Sequence, residues 1–183
     1  MTRWTFVVVM GVSLAASAGR SLAQPVSPPP APGQKKEEPP VQVKAYLDAD
    51  AVRPGDTFRV AIVFTLKKGL HIYGAESKDQ DVIKTSVTPP KIAGIEWEAP
   101  TYPKSVEKKL GEESFHLYEG EAKVIVKGKA AASLEPGASE LKFEVAYQAC
   151  TDEYCLEPHL KDVTVLKARV AKPGDAVKPA NAE

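Results

Sequence analysis

The residues best suited to chemistry are Cys150 and Cys155, the only two cysteines in the 183-residue chain. They lie in the segment 147–158, which reads Tyr-Gln-Ala-Cys-Thr-Asp-Glu-Tyr-Cys-Leu-Glu-Pro. Two thiols this close together can form a disulfide, and a disulfide can exchange with an incoming thiolate. Thiol–disulfide exchange is therefore the first chemistry that this pair suggests.

A purely structural disulfide is the plain alternative. Closing a loop of about six residues removes only about 2 kcal/mol of unfolded-state entropy, against about 4.7 kcal/mol for a loop of a hundred residues. A bond across so short a loop is a poor staple for a whole domain. The residues around the pair nevertheless leave both a redox role and a structural role open.

A metal site is a third alternative, because zinc and copper accept thiolate and imidazole ligands. Cys150 and Cys155 would need a histidine as a further ligand, and His71, His116 and His159 are available. The spacing lacks a second paired set of ligands, and an exported dithiol is usually oxidised. The sequence therefore predicts neither a metal nor a cofactor.

The elements that carry the cysteines are predicted to be strands. Apolar and polar residues alternate over 41–47, 58–66, 122–126 and 141–147, which is typical of half-buried strands. Turn signals such as Arg-Pro-Gly-Asp at 53–56 separate the stretches, and no long window has a helical period. About seven short strands of this kind indicate an all-β fold, a β-sandwich.

The strand before the cysteines also predicts their orientation. Leu141, Phe143, Val145 and Tyr147 share one face, whereas Cys150 belongs to the opposite face. The sulfur of Cys150 is therefore expected to face away from the core, or to lie at a strand end that a partner can reach. Three other aromatic residues are expected to pack in or beside the middle strands: Trp97, Phe115 and Tyr118.

The ends of the chain differ from its middle in composition. Residues 1–23 combine Arg3, a short apolar run and a small-residue end, which predicts a secretory signal peptide and a periplasmic or secreted protein. The Pro-rich segment 24–40 and the tail 171–183 are expected to be disordered. The folded domain is predicted at 41–170, with no membrane span after signal cleavage.

Charge and motifs exclude several classes of function. The chain has 24 basic and 24 acidic residues without a basic face, so it offers no case for nucleic-acid binding. It contains neither a Gly-rich phosphate loop nor a Gly-x-Ser-x-Gly elbow, so phosphate chemistry and serine hydrolysis have no support.

The cysteine segment, Tyr147-Gln148-Ala149-Cys150 and Cys155-Leu156-Glu157-Pro158, resembles the cysteine hairpin of the amino-terminal domain of DsbD, the thiol:disulfide interchange protein. Two upstream segments are similar to strands of that family: Gly-Leu-His-Ile-Tyr at 69–73, and Leu-Tyr-Glu-Gly at 117–120 with the alternating residues that follow. The resemblance covers about 41–170 and implies an immunoglobulin-like β-sandwich.

The resemblance also implies a function and a set of site residues. In that family the domain accepts electrons from a thioredoxin-like domain, itself supplied through a membrane domain, and passes them to oxidised periplasmic proteins without a cofactor. Carried over to this chain, Cys155 would form the mixed disulfides and Cys150 would resolve them. His71, Tyr73 and Tyr147 would be supporting residues. The activity would be that of a protein-disulfide reductase.

Two departures from the family pattern are visible. Four residues separate the cysteines, where the best-known members have five, and the Phe-Tyr cap loop that shields their disulfide has no clear counterpart. Tyr102 and Phe115 are the candidate cap residues. They flank a segment rich in Lys and Glu, 103–114, which is expected to be an exposed flexible loop.

The acidic residues near the cysteines, Asp152, Glu153 and Glu157, should oppose thiolate formation. Either the reactive site is completed by its partner, or the pair is unreactive. With no membrane or thioredoxin-like domain in this sequence, the electrons would come from another protein. Two rival functions remain: a protein-binding module with a structural disulfide, and a metal-handling accessory protein.

Overall fold

The structure, a computed structural model, describes residues 38–79, 81–110 and 112–181. Within these ranges there is no helix, and hence none long and apolar enough to cross a membrane. The described residues form strands β1 Val41–Leu47, β2 Thr57–Leu66, β3 His71–Tyr73, β4 Ser86–Thr88, β5 Ile95–Trp97, β6 Val106–Leu110, β7 Glu113–Glu119, β8 Glu121–Ala130, β9 Gly137–Tyr147, β10 Ala149–Cys150 and β11 His159–Val170. The predicted all-β class is confirmed.

The strands pair antiparallel in three sheets. The orders are β1-β2-β8-β5, β11-β9-β4 and β10-β3-β7-β6. The third of these is called the site sheet below, because it carries both the hairpin of Cys150 and the strand of His71. The chain passes from the site sheet to the first sheet at Gly120, whose φ of 68° lies in the left-handed region that glycine adopts without strain.

One main core is shared by all three sheets. The largest side chains that it buries completely are Ile62, Phe64, Ile72 and Phe143, which come from three different sheets. All four alternating stretches of the sequence form strands, and the predicted inward face of β9 lies in this core. The immunoglobulin-like β-sandwich predicted for the chain is confirmed.

Two segments differ from their predicted structure. The Lys- and Glu-rich segment 103–114, expected to be a flexible loop, instead contains β6 and the start of β7, paired from Val106 opposite Leu117 to Leu110 opposite Glu113. The reason is that β6 has a weak apolar alternation. Val106 is 62% exposed, so the strand buries too little apolar surface to give an alternating pattern in the sequence.

The tail, expected to be disordered from residue 171, is hydrogen-bonded to the chain near β1. Asp50 N–H donates to the carbonyl of Lys178, and Ala180 N–H donates to the carbonyl of Asp48. The amino-acid composition of the tail does not predict these hydrogen bonds, because they are made by backbone N–H and carbonyl groups. The predicted signal peptide at 1–23 lies outside the described residues, as does the segment 24–37 of the Pro-rich stretch.

Aromatic side chains pack against one another beside Gly128 of β8. Phe58 and Trp97 meet edge to face at 5.4 Å between ring centroids, and Trp97 meets Phe143 in the same way, also at 5.4 Å. A Cβ on Gly128 would lie 2.7 Å from Phe58 Cζ and 2.8 Å from Trp97 Cζ3. The two rings therefore occupy the space that any other residue would need.

We expect Gly128→Ala to lower the free energy of unfolding by about 1–3 kcal/mol, the usual cost of overpacking a core. The entropic gain from replacing glycine, about 0.4–1 kcal/mol, is too small to compensate. Urea denaturation followed by tryptophan fluorescence would measure the change in the free energy of unfolding. Lys129→Ala, at an exposed position on the same strand, is the matched control and should stay within about 0.5 kcal/mol of the parent. Equal stability of the Gly128→Ala domain would contradict the packing described here.

Candidate functional site

Cys150 and Cys155 are joined by a disulfide across a short β-hairpin, with their Cα atoms 3.9 Å apart. Backbone hydrogen bonds close the hairpin on both sides of the bond, from Leu156 N–H to Ala149 O and from Thr151 N–H to Tyr154 O, each 2.8 Å. The Thr151 hydroxyl oxygen also accepts the N–H of Tyr154 at 3.1 Å. The turn is therefore formed by local hydrogen bonds that do not depend on the sulfur atoms.

The site sheet has two faces with different surroundings. Ile72, Tyr118 and Ala149 lie in the main core. The residues that alternate with them form a separate outer cluster on the opposite face: Tyr73, Leu117 and Cys150, with Val82 and Phe115 packed against them. The face predicted for Cys150 from strand parity is thus correct, since its side chain points away from the main core.

The two cysteines differ sharply in exposure. Cys150 is only 1% exposed because the outer cluster covers it, whereas Cys155 is exposed on the other strand of the hairpin. Of the two positions expected for Cys150, away from the core or at a strand end within reach of a partner, the structure shows the first, with the side chain buried under the outer cluster. An incoming thiolate can reach Cys155, and its attack there would leave the sulfur of Cys150 as the leaving group.

His71 lies directly opposite Cys150, as its cross-strand partner in the site sheet. The residue is 1% exposed, and its ring meets that of Tyr73 edge to face at 6.1 Å. Its Nδ1 lies 3.8 Å from Oδ1 of Asp152 in the hairpin turn, while its Nε2 is buried without a hydrogen-bond partner. A buried imidazole thus stands next to the less accessible cysteine.

Lys108 of β6 links the charges around this histidine. Its Nζ lies 3.0 Å from both Glu119 Oε1 and Asp152 Oδ1, and these hydrogen bonds raise the pKa of Lys108. Burial lowers the pKa of His71, and the positive charge of Lys108 lowers it further, against the opposite effects of Asp152 and Glu119. The imidazole is therefore held towards its neutral form.

Lys108 was missed in the sequence, although it changes the expected electrostatics. Asp152 was expected to oppose a thiolate, but its carboxylate is paired with the ammonium group of Lys108. Only the register of β6 against β7 brings Lys108 to this face, opposite Phe115. No motif in the sequence points to it, because the segment containing it resembled a loop.

Aromatic side chains cover the buried cysteine. The rings of Tyr73 and Phe115 meet edge to face at 5.7 Å, and Phe115 remains half-buried at the surface of the outer cluster. Burial raises the pKa of Tyr73, and the carboxylate of Asp79 raises it further. The phenol of Tyr73, which is neutral near pH 7 even at its ordinary pKa, contributes packing to this cluster and no charge.

The other two aromatic candidates lie elsewhere. Tyr102 packs against the main core, and its hydroxyl accepts the N–H of Val87 at 3.0 Å. Tyr147 also lies in the main core, with its ring stacked on His159 at 4.6 Å. Burial raises the pKa of Tyr147 to about 12. The structure thus brings His71, Tyr73 and Phe115 to the cysteines, but not the rings of Tyr102 or Tyr147.

A second hydrogen-bonded group, also missed in the sequence, anchors the segment that follows β3. The hydroxyl of Ser105 donates to the carboxylate of Glu76, and the Tyr118 hydroxyl lies 3.3 Å from the other oxygen of that carboxylate. Burial works against the charged carboxylate, yet these hydrogen bonds hold the pKa of Glu76 below its usual value. This group fixes the start of the segment that carries Val82 to the outer cluster.

The three histidines are separated in space by their contacts. Nδ1 of His116 lies 3.2 Å from the hydroxyl of Ser105, and Nδ1 of His159 lies 2.6 Å from Oδ2 of Asp162. In the part of the chain that the structure describes, no group of three or more His, Cys, Asp or Glu residues is arranged to hold a metal ion.

Comparison with known proteins identifies one family. The family model of the thiol:disulfide interchange protein DsbD, N-terminal, matches residues 36–167. No curated protein matches the chain. The crystal structure of the DsbD amino-terminal domain of Neisseria meningitidis, in the reduced form, is 19% identical with a TM-score of 0.38, covering 75% of this chain and 90% of that one. The N-terminal periplasmic domain of ScsB from Proteus mirabilis is 12% identical with a TM-score of 0.44, covering 73% of this chain and 47% of that one.

We expect Lys108→Met to raise the pKa of His71, because the substitution removes a positive charge that disfavours the imidazolium and leaves Asp152 unpaired beside the ring. An NMR titration of the histidine ring resonances in the oxidised domain would measure the shift. Lys109→Met is the matched control, since Lys109 is exposed on the opposite face of the same strand. An unchanged His71 titration in Lys108→Met would contradict the electrostatic network described here.

Proposed function

Since the chain belongs to the family of the amino-terminal domain of the thiol:disulfide interchange protein DsbD, we propose that it relays electrons by disulfide exchange through Cys150 and Cys155. The proposed donor is a thioredoxin-like or membrane protein, and the proposed acceptors are oxidised periplasmic proteins. The observation that supports this most strongly is the unequal exposure of the two cysteines, one buried and one at the surface of the hairpin.

The proposed relay has two halves, each moving two electrons. In the first, a donor thiolate attacks the sulfur of Cys155, and the Cys150–Cys155 bond breaks to leave a thiolate on Cys150. A second donor thiolate then attacks the donor sulfur of this mixed disulfide, which releases Cys155 as a thiolate and leaves the donor oxidised. In the second half, Cys155 attacks an acceptor disulfide, and Cys150 then attacks Cys155, which re-forms the domain's bond and releases the reduced acceptor.

The chain organisation fits an exported relay. We propose a signal peptide at 1–23, a Pro-rich linker at 24–40 and a single exchange domain at 41–170, acting in the periplasm. The proposed domain bounds are supported by the strands of the described residues, of which the first begins at Val41 and the last ends at Val170.

The supporting residues are assigned from their positions around the disulfide. His71 and Tyr73 line the face of Cys150, and Phe115 is proposed as the shield of that sulfur because its ring packs on the outer cluster. Tyr147 would support the hairpin from the core side, where it ends β9 just before Ala149. Tyr102 is not retained as a shield, because its ring packs against the main core.

The relay predicts that the two single cysteine variants behave differently. Cys150→Ala should accumulate a mixed disulfide with a protein disulfide substrate, because Cys155 is accessible and its resolving partner is gone. Cys155→Ala should form far less, because Cys150 is buried. Non-reducing electrophoresis and mass spectrometry would quantify the adducts. Equal trapping by both variants would contradict the assigned roles.

The reduction potential of the wild-type domain tests whether the bond is exchangeable at all. A value of about −120 to −270 mV in thiol buffers would support the relay, whereas one below about −300 mV would mark a structural bond. The double variant Cys150→Ala, Cys155→Ala is the matched control. If the bond proves structural and this double variant still binds a protein partner, the domain is a binding module instead.

If Phe115 shields Cys150, Phe115→Ala should be reduced severalfold faster by dithiothreitol, because the disulfide becomes more open to attack. Tyr102→Ala is the matched control. It also removes an aromatic ring, but one that packs against the main core, so the reduction rate should stay unchanged. Free-thiol release over time gives both rates. A wild-type rate in Phe115→Ala would show that its ring does not protect the bond.

A further inference from the structure

We propose that His71 takes the proton of the Cys150 thiol when Cys150 resolves a mixed disulfide at Cys155, and returns it in the reverse reaction. This inference rests on the proposed function and assigns His71 the acid–base part of that reaction. The proton acceptor would be Nε2 of His71, the one buried histidine nitrogen that has no hydrogen-bond partner among the described residues.

The first argument is position. His71 and Cys150 are directly paired across β3 and β10, so their side chains lie on the same face of the site sheet. Directly opposed residues of an antiparallel pair have Cβ atoms about 4.5–5.5 Å apart, which places an imidazole within reach of the neighbouring sulfur. Cys155, on the other strand of the hairpin, is one strand further away.

The second argument is the state of the two ring nitrogens. The carboxylate of Asp152 lies on the Nδ1 side at 3.8 Å, and it favours the tautomer that carries the proton on Nδ1. The lone pair is then on Nε2, which is buried without a partner. Buried polar atoms are normally hydrogen-bonded, so an unpaired one calls for an explanation. A thiol on Cys150, present only once the disulfide is reduced, would supply that missing donor.

The third argument is that resolution by Cys150 needs a local base. The attacking species in exchange is the thiolate, and burial among apolar side chains disfavours a thiolate. Cys150 is covered by Tyr73 and Leu117, so the thiol cannot readily pass its proton to bulk water. His71 is suited to accept it, because its lowered pKa keeps the ring neutral near pH 7.

The charges that face His71 come from three neighbouring elements. Lys108 on β6 disfavours the imidazolium, while Glu119 on β7 and Asp152 in the hairpin turn favour it. Tyr73, on the same strand as His71, is neutral near pH 7, and burial raises its pKa further above that range. Protonation of His71 is thus disfavoured by one cation and favoured by two carboxylates, and the cation forms a salt bridge with each carboxylate.

The step is balanced in atoms and electrons. The S–H bond of Cys150 breaks and its proton moves to Nε2 of His71. The electron pair left on the Cys150 sulfur forms the bond to Cys155, and the bond between Cys155 and the acceptor breaks. The acceptor sulfur leaves with that electron pair as a thiolate, and the imidazolium later loses its proton to solvent.

The test isolates the resolving step with a small disulfide. The reduced domain is mixed with Ellman's reagent, which forms a mixed disulfide and releases one thionitrobenzoate, and attack by Cys150 then releases a second. A free thiol with a pKa near 8.5 is only a few per cent ionised at pH 7. We therefore expect His71→Asn to slow the second release about tenfold at pH 7, and to shift its pH profile towards alkaline values.

The controls separate the outcomes. His159→Gln removes a histidine that stacks on Tyr147, away from the outer cluster, and should keep the wild-type rate and profile. If the wild-type domain releases no second thionitrobenzoate, both the relay and the role of His71 are overturned. If it does, and His71→Asn has the same rate and pH profile, only the role of His71 is overturned.

A second measurement keeps the inference testable if His71→Asn fails to fold. The ring of His71 would be titrated by NMR in Cys155→Ser, which leaves the thiol of Cys150 free, and in Cys150→Ala, Cys155→Ser, which removes it. A shared proton couples the two titrations, so the first variant should show an additional His71 step at alkaline pH. Superimposable His71 curves in the two variants would overturn the proposal.

Discussion

The pairing register of the site sheet is the constraint on which the rest of the site depends. Ala149 opposite Ile72 and Cys150 opposite His71 are consecutive pairs, and side chains alternate between the two faces of a sheet. The first pair completes the main core, and the second lies on the opposite face, where Cys150 belongs to the outer cluster. A slip of one residue would exchange the two faces. The burial of Ile72 in the sandwich therefore fixes the position of His71 beside Cys150.

The electrostatics of the site follow from the same register. Because β6 pairs with β7, Lys108 faces the hairpin turn and contacts Glu119 and Asp152. The local sequence around the cysteines is acidic, but the folded site places a cation within it. The electrostatic potential at the sulfur atoms thus differs from the potential that the local sequence suggests. The reason is that charged residues from distant strands combine on one face of the sheet.

The sequence predicted the parts of the fold that have strong periodic patterns. The long strands β1, β2, β8 and β9 alternate clearly because one face of each is buried. The three-residue strands β4 and β5 are too short to have a period, and β6 has too little buried surface. At the candidate site, spacing pointed to the cysteines and resemblance pointed to His71 and Tyr73, and the structure brings these residues together. Lys108 gave no signal, because only the pairing of β6 with β7 brings it into contact with Glu119 and Asp152.

The short hairpin around the disulfide has a thermodynamic consequence for the whole domain. Through linkage, the amount by which the bond stabilises the fold equals the amount by which folding favours the oxidised form. The chain-entropy part of this amount, for a loop of about six residues, is about 2 kcal/mol, or about 40 mV for a two-electron couple. Chain entropy therefore makes the midpoint potential only weakly dependent on the stability of the whole domain. Over evolutionary time, mutations that stabilise or destabilise the distant sandwich would change the midpoint potential of the Cys150–Cys155 bond little through this term.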